Sequence, residues 1–300
     1  MKPLYLELTD REFEEKIEAL FDKLKSCSIC PRSCKVDRTK GQLGYCKTGF
    51  LPFVSSYGPH FGEESVLVGF NGSGTIFFTS CNLGCIFCQN YEISQLRIGD
   101  EISFEDLARI MIKLQQLGCH NINLVSPTHQ IPQIVKSLKI ARSMGLKIPI
   151  VYNTNAYDSV ETLKILEGII DIYMPDAKYS DNNVARELSD APSYFEVMKE
   201  AIKEMQRQVG DLLLNGNGIA VRGLIVRHLV LPNELAGSEL IFKFLSQSVS
   251  KNVFLNIMDQ YRPCFKATLH PKLSRRITKE EFKEAVKLAK KYGLTRIYKE

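Results

Sequence analysis

The chain has 300 residues, 44% of them hydrophobic and 24% charged, with no tryptophan; this is the composition of an ordinary globular protein and excludes collagen-like and disordered classes. The net charge is +5 at pH 7, but lysines and arginines are scattered and the run Arg275 to Lys299 is interleaved with glutamates, which describes a solvated helix face more than a nucleic-acid stripe, so no nucleic-acid partner is expected. Met1–Asp10 lacks a basic head followed by an apolar run, and no uncharged apolar stretch reaches about 18 residues, so neither a secretory signal nor a membrane partner is expected and the reading is cytoplasmic.

Thr9 to Lys25 carries apolar residues at Phe13, Ile17, Leu20, Phe21 and Leu24, a helical period for which Thr9 or Asp10 supplies the N-cap. From Ser26 to Gly74 the chain becomes rich in Cys, Gly and Pro with little periodicity, so its order is expected to depend on a bound metal or cluster. Seven of the nine cysteines fall between Cys27 and Cys88, a spacing unlike a disulfide framework, and clustered thiols in a reducing compartment usually bind metal. After Gly74, apolar β-type runs alternate with longer amphipathic stretches, the pattern of successive βα units. Strands are predicted at Thr75–Thr79, Asn121–Val125, Ile148–Asn153, Ile169–Met174, Leu224–Leu229 and Asn252–Met258. Helices are predicted near Ser103–Leu117, Ile131–Met144, Val160–Leu166, Tyr194–Val209 and Gly237–Ser248, with another at Thr278–Tyr292 and a short strand at Arg296–Tyr298. Six strands do not close an eight-stranded barrel. The expected fold is therefore α/β, a six-stranded partial (β/α)6 TIM-like barrel over residues 71–262. It follows a Cys-rich N-terminal extension, 1–70, and precedes a C-terminal helical extension, 263–300.

The first predicted strand runs into Ser80-Cys81-Asn82-Leu83-Gly84-Cys85-Ile86-Phe87-Cys88. Cys81, Cys85 and Cys88 thus form C-x3-C-x2-C in a loop at the strand's C-terminal end, where barrel active sites sit. Three thiolates in one short loop can hold three irons of a [4Fe-4S] cluster and leave the fourth open to substrate or cofactor. The competing readings are a zinc site completed by a distant histidine, or reduced core cysteines. Upstream, Cys27, Cys30, Cys34 and Cys46 are spaced C-x2-C-x3-C-x11-C, with Gly41 and Gly44 easing the turn that returns Cys46. Four thiolates complete either structural zinc or a second iron–sulfur cluster, and spacing does not separate the two. Cys119 and Cys264 stand apart and are expected in the core. His60, Glu63 and Glu64 are read either as lining for the barrel's open side or as a solvated loop.

The Cys81–Cys88 loop resembles the signature of the radical S-adenosylmethionine (SAM) superfamily. Longer stretches are similar to its pyruvate formate-lyase activating enzyme-related branch: Cys27–Cys34, Gly72–Phe78, Cys88–Ser94, Asn121–His129, Asp171–Tyr179, Arg227–Pro232 and Met258–Tyr261. The resemblance implies that the open iron of a [4Fe-4S] cluster chelates SAM and that one electron cleaves it to a 5′-deoxyadenosyl radical, which abstracts hydrogen from a protein, peptide or small-molecule substrate. It implies activation of a glycyl-radical enzyme as the default reaction and an electron donor such as flavodoxin or ferredoxin. Radical modification of RNA or of a small molecule, and a non-catalytic iron–sulfur redox or sensor protein, are the alternatives.

Residue by residue, the resemblance sets Phe87 beside the adenine, with a packed core aromatic as the alternative. Activating enzymes hold the SAM amino group with a Gly-Gly-Glu-Pro-like turn, where this chain has Ser126-Pro127-Thr128-His129. Ser126 and Thr128 hydroxyls, or the local carbonyls, then become the acceptors for the ammonium, and His129 either faces the substrate as a catalytic group or is structural. Asn153 and Asn155 are expected at the ribose or carboxylate, or as turn formers. Asp176 and Lys178 match the Asp-x-Lys motif of activating enzymes and are assigned to catalysis; two apart on an extended segment, they point the same way. Arg227 is assigned to the SAM carboxylate, whose planar anion a guanidinium fits. Met258, with Gln260 and Tyr261, is assigned to the adenosine pocket.

Overall fold

In the computed structural model, which describes residues 1–298, the chain starts as its capping residues dictate. The Thr9 side chain accepts from the Glu12 N–H and the Glu12 carboxylate accepts from the Thr9 N–H, fixing the start of α1 (Asp10–Lys25). Phe13, Ile17, Leu20 and Leu24 form its buried face. The Cys-rich segment is irregular up to β1 (Phe53–His60); a short helix, α2 (Ser65–Val68), then leads to β2 (Ser73–Phe78). Next come α3 (Tyr91–Ser94), β3 (Asp100–Glu101), α4 (Phe104–Gln116), β4 (Ile122–Val125), α5 (Ile131–Ser143), β5 (Ile150–Thr154), α6 (Val160–Ile165) and β6 (Ile172–Pro175). The remainder is α7 (Asn182–Ser189), α8 (Tyr194–Val209), β7 (Leu213–Leu214), β8 (Ala220–Leu229), α9 (Ser238–Phe244), β9 (Phe254–Met258) and α10 (Lys279–Lys291).

Six strands, β2, β4, β5, β6, β8 and β9, pair in parallel in that order. They are the strands predicted from alternation, and the sheet they make is an open α/β partial barrel. Beyond β2 the sheet continues with β1 and then β3, both antiparallel to their neighbours. Beyond β9 the parallel bridge between Leu255 and Ile297 is the short strand expected at Arg296–Tyr298. β1 lies inside the extension expected at 1–70, so the sheet crosses that boundary. Its Gly58 and Pro59 blur the alternation, and its order comes from backbone pairing with β2. Among the described residues no helix is long and apolar enough to cross a membrane.

The two faces of the sheet set the position of the site. Ile150, Tyr152, Tyr173, Leu224, Val226 and Leu255 belong to the large core shared with the helices. On the other face Val151, Ile172, Met174, Ile225 and Phe254 pack on Leu67 of α2, each such side chain contributing about 1.5–3 kcal/mol by burial. Side chains alternate along a strand, so the next residues on that inner face are Asn153, Asp176, Arg227 and Asn256. An apolar floor thus carries a polar layer at the C-terminal ends of the strands.

Candidate active site

At the end of β2, Ser80 adopts a left-handed conformation, φ 72°, and turns the chain into the Cys81–Cys88 loop. Each of the three sulfurs has a polar hydrogen-bond partner. Cys81 Sγ accepts from the Leu83 N–H and from Asn155 Nδ2, both at 3.4 Å; Ser189 Oγ at the end of α7 donates to Cys85 Sγ at 2.9 Å; Ser94 Oγ lies 3.1 Å from Cys88 Sγ. All three cysteines line one cavity of about 420 Å³ together with Asp176, Lys178 and Arg227. Burial pushes the Cys81 thiol up to about 12 and also raises Cys85. Sulfurs supplied with donors and facing a shared space suit thiolate ligation of a group that brings positive charge, as an iron–sulfur cluster does.

Below them the polar layer is a single hydrogen-bonded group. Arg227 donates from Nε to Asp176 Oδ1 at 2.8 Å, from Nη1 to Glu63 Oε2 at 3.2 Å and from Nη2 to Asn153 Oδ1 at 2.6 Å. Lys178 Nζ donates to Asp176 Oδ2 at 2.8 Å. These charged side chains are mostly buried, between 10% and 17% exposed. Burial pushes the Asp176 carboxyl up, but Arg227 and Lys178 outweigh it and hold it below its ordinary value. Glu63, brought in by the turn after β1, ends on the other side: burial raises it against the pull of Arg227. The neighbouring Glu64 accepts from Asn256 Nδ2 at 2.8 Å, so both carboxylates of the His60, Glu63 and Glu64 group are inside the barrel, and His60 lines the cavity too.

The structure brings Ser126, Asn153, Asn155, Asp176, Lys178 and Arg227 to the cavity, while four other assigned residues lie outside its lining. His129 does not face it. Ser126, at φ 56°, turns the following residues towards the helix side, where His129 Nε2 meets the Thr79 carbonyl at 2.9 Å and burial depresses the ring to about 4. Thr128 is buried away from the cavity, its hydroxyl donating to Asp158 at 2.8 Å. The Phe87 ring packs edge-on against Tyr179 and Tyr261, at 6.4 and 6.0 Å, outside the cavity lining. Met258 lines an adjoining groove with Phe282 and Val286 of α10, and Gln260 borders both that groove and the cavity. Sequence reasoning missed Ser94 and Ser189, whose signal is only that a hydroxyl near a cysteine loop can reach sulfur.

Cys27, Cys30, Cys34 and Cys46 gather around a second, much smaller void, which His129 also lines. The Tyr45 N–H donates to Cys34 Sγ at 3.4 Å. A Cβ at Gly44 would lie 2.9 Å from that sulfur, so the close return of the chain there requires glycine. Burial raises the Cys30 thiol to about 12, and the other three cysteines add to the rise. Among the described residues no three His, Cys, Asp or Glu side chains converge on a single-ion site. Two arginines tie this segment to the barrel. Arg32 Nε donates to the Asn82 carbonyl at 2.9 Å, inside the Cys81–Cys88 loop, and its guanidinium lies 3.6 Å from the Tyr45 ring centre. Arg38, fully buried, donates to the His129 carbonyl at 2.8 Å and to the Gly49 carbonyl at 2.8 and 3.2 Å.

An open parallel barrel whose first strand delivers three cysteines to a cavity at the strands' C-terminal ends has the arrangement in which three thiolates can hold an iron–sulfur cluster. The chain belongs to the radical SAM superfamily, whose description matches residues 75–223. It is 35% identical over 293 residues to the uncharacterized protein MJ0674 of Methanocaldococcus jannaschii, covering 94% of this chain and 80% of that one. Among solved structures, methylornithine synthase (PylB) is similar in fold, with a TM-score of 0.50 at 14% identity over 98% of this chain and 72% of its own. HydG, a maturase of the FeFe-hydrogenase, aligns with a TM-score of 0.48 at 14% identity, over 73% of this chain and 48% of its own. Membership of the superfamily implies a [4Fe-4S] cluster and SAM.

Proposed function

We propose that Cys81, Cys85 and Cys88 hold a [4Fe-4S] cluster in the large cavity and that the protein is a radical SAM enzyme abstracting hydrogen from a substrate at the barrel mouth. The observation that carries this is the meeting, in one cavity, of three hydrogen-bonded sulfurs with a buried layer of two cations and two carboxylates. When bound, the cluster supplies the electron that cleaves SAM to a 5′-deoxyadenosyl radical. The chain's own residues supply binding, orientation and exclusion of water. Asn155, Ser189 and Ser94 hold the sulfurs in place; Arg227 and Lys178 present cations to a carboxylate; Asp176 keeps both cations aimed.

The Asp176-Ala177-Lys178 match to activating enzymes makes a glycyl-radical protein the first substrate to try, with a flavodoxin or ferredoxin as donor. For the N-terminal set we propose a thiolate-bound structural metal, zinc or a second cluster, supported by the four cysteines surrounding one void; a single zinc would have to draw them closer than they stand here. The test is anaerobic reconstitution followed by low-temperature electron paramagnetic resonance of the reduced protein, with and without SAM, and assay for 5′-deoxyadenosine. A spectral shift and cleavage are expected. A fully loaded, reduced cluster with neither response refutes the enzyme and favours a non-catalytic iron–sulfur protein.

A further inference from the structure

The polar layer has unequal spare capacity. A guanidinium has five N–H donors, and Arg227 spends one each on Asp176, Glu63 and Asn153, leaving two free. Of the two carboxylates lining the cavity, Asp176 accepts short bonds from two cations, each at 2.8 Å. Glu63 accepts only from Arg227 at 3.2 Å and, weakly, from Asn153 at 3.5 Å, although an ionised carboxylate offers about four acceptor sites. It is a buried anion whose one cationic contact does not offset its loss of water, which is why its carboxyl is raised.

An amino-acid end carries an ammonium and a carboxylate, and this layer offers the complement of both: a cation with free donors beside a carboxylate with free acceptors. Resting on the proposed binding of SAM in this cavity, we infer that Glu63 accepts an N–H of the α-amino group of SAM, with Arg227 beside it for the α-carboxylate. The turn after β1 thus supplies the anion that the turn after β4 lacks, since Thr128 faces Asp158 and His129 faces Thr79. The opposite role for Glu63 is a plug that occupies Arg227 and must leave before a ligand carboxylate can bind. The two roles predict changes of opposite sign.

The experiment measures SAM affinity of the reconstituted holoenzyme by equilibrium dialysis and by the titrated spectral shift of the reduced cluster, for wild type, Glu63→Gln and Glu63→Asp. The comparison ligand is 5′-methylthioadenosine, which lacks the amino-acid end. Glu63→Gln is expected to weaken SAM at least about tenfold, the scale of a lost charge-assisted hydrogen bond, with 5′-methylthioadenosine unchanged and Glu63→Asp intermediate. Unchanged or tighter SAM binding overturns the inference, the latter identifying a plug. Equal loss of both ligands also overturns it, as general distortion of the cavity. Wild-type protein that fails to bind SAM overturns the functional reading itself, and this inference with it.

Discussion

Arg227→Met removes the guanidinium while keeping much of the stem's volume, and it isolates what the polar layer contributes to stability. Asp176 retains Lys178 at 2.8 Å, but Glu63 loses its only cationic contact in the layer and Asn153 loses its 2.6 Å donor. Deleting one partner of a buried ion pair costs about 3–5 kcal/mol, because the survivor stays buried and uncompensated. For a chain of this length that is a fall in Tm of roughly 6–10 °C, at about 2 °C per kcal/mol. Urea unfolding of anaerobically prepared protein, followed by circular dichroism, reads the free energy directly. The double variant Arg227→Met with Glu63→Gln tests the cause, since neutralising the stranded carboxylate should return about 1–2 kcal/mol. A cost below about 1 kcal/mol for Arg227→Met, or strict additivity in the double variant, would falsify the picture of a dry, coupled layer.

Cys81→Ala, Cys85→Ala and Cys88→Ala are each expected to lose most of the cluster, read as iron and sulfide content and visible absorbance after reconstitution; retention of full iron in any of them contradicts the ligand assignment. Replacing Cys27 and Cys46 together by serine should lower total metal while leaving the cluster at the other three cysteines measurable, and unchanged zinc and iron would remove the N-terminal site. His228 is fully buried between the Ala177 carbonyl and Ser238 Oγ, at 2.7 and 2.8 Å, and burial depresses it to about 4. The unfolded ring, near 6.5, takes its proton first as pH falls, so stability is full above about 6.5 and is lost down to about 4, by on the order of 3 kcal/mol. A flat stability profile across that window in wild type, or an unchanged slope in His228→Gln, refutes this. Arg38→Met removes the side-chain donor of the His129 carbonyl and leaves the Gly49 carbonyl with Gln133 Nε2 at 3.2 Å, and should cost about 1–3 kcal/mol in urea unfolding; a neutral result would mean that water replaces the guanidinium.

The parallel strands were legible because each is a short apolar run bounded by polar turns, and the motif loop because spacing alone puts its sulfurs together. Asp176 and Lys178, two apart just beyond β6, share the cavity and a hydrogen bond. The failures come from directions that spacing does not carry. Thr128 and His129 sit in a tight helical turn entered through a left-handed Ser126, so neighbours of a cavity residue point out of the cavity. β1 was hidden because its order comes from antiparallel pairing with the backbone of β2 more than from its own pattern. Glu63 was visible as a candidate, but its ion pair with Arg227, 164 residues away, was not.

The early part of the chain is fastened almost entirely to parts made much later. Leu4 N–H donates to Asp171, Tyr5 to the Ile148 carbonyl, Thr162 to the Ile29 carbonyl, and Arg32 pairs with Asp190. During synthesis, then, the seven thiols between Cys27 and Cys88 leave the ribosome well before the segments that bury them. Contacts so distant in sequence form late and slowly. The nascent chain therefore passes through a period in which these thiols are open to oxygen and to stray metal, and safe assembly depends on the reducing conditions of that interval as much as on the finished fold.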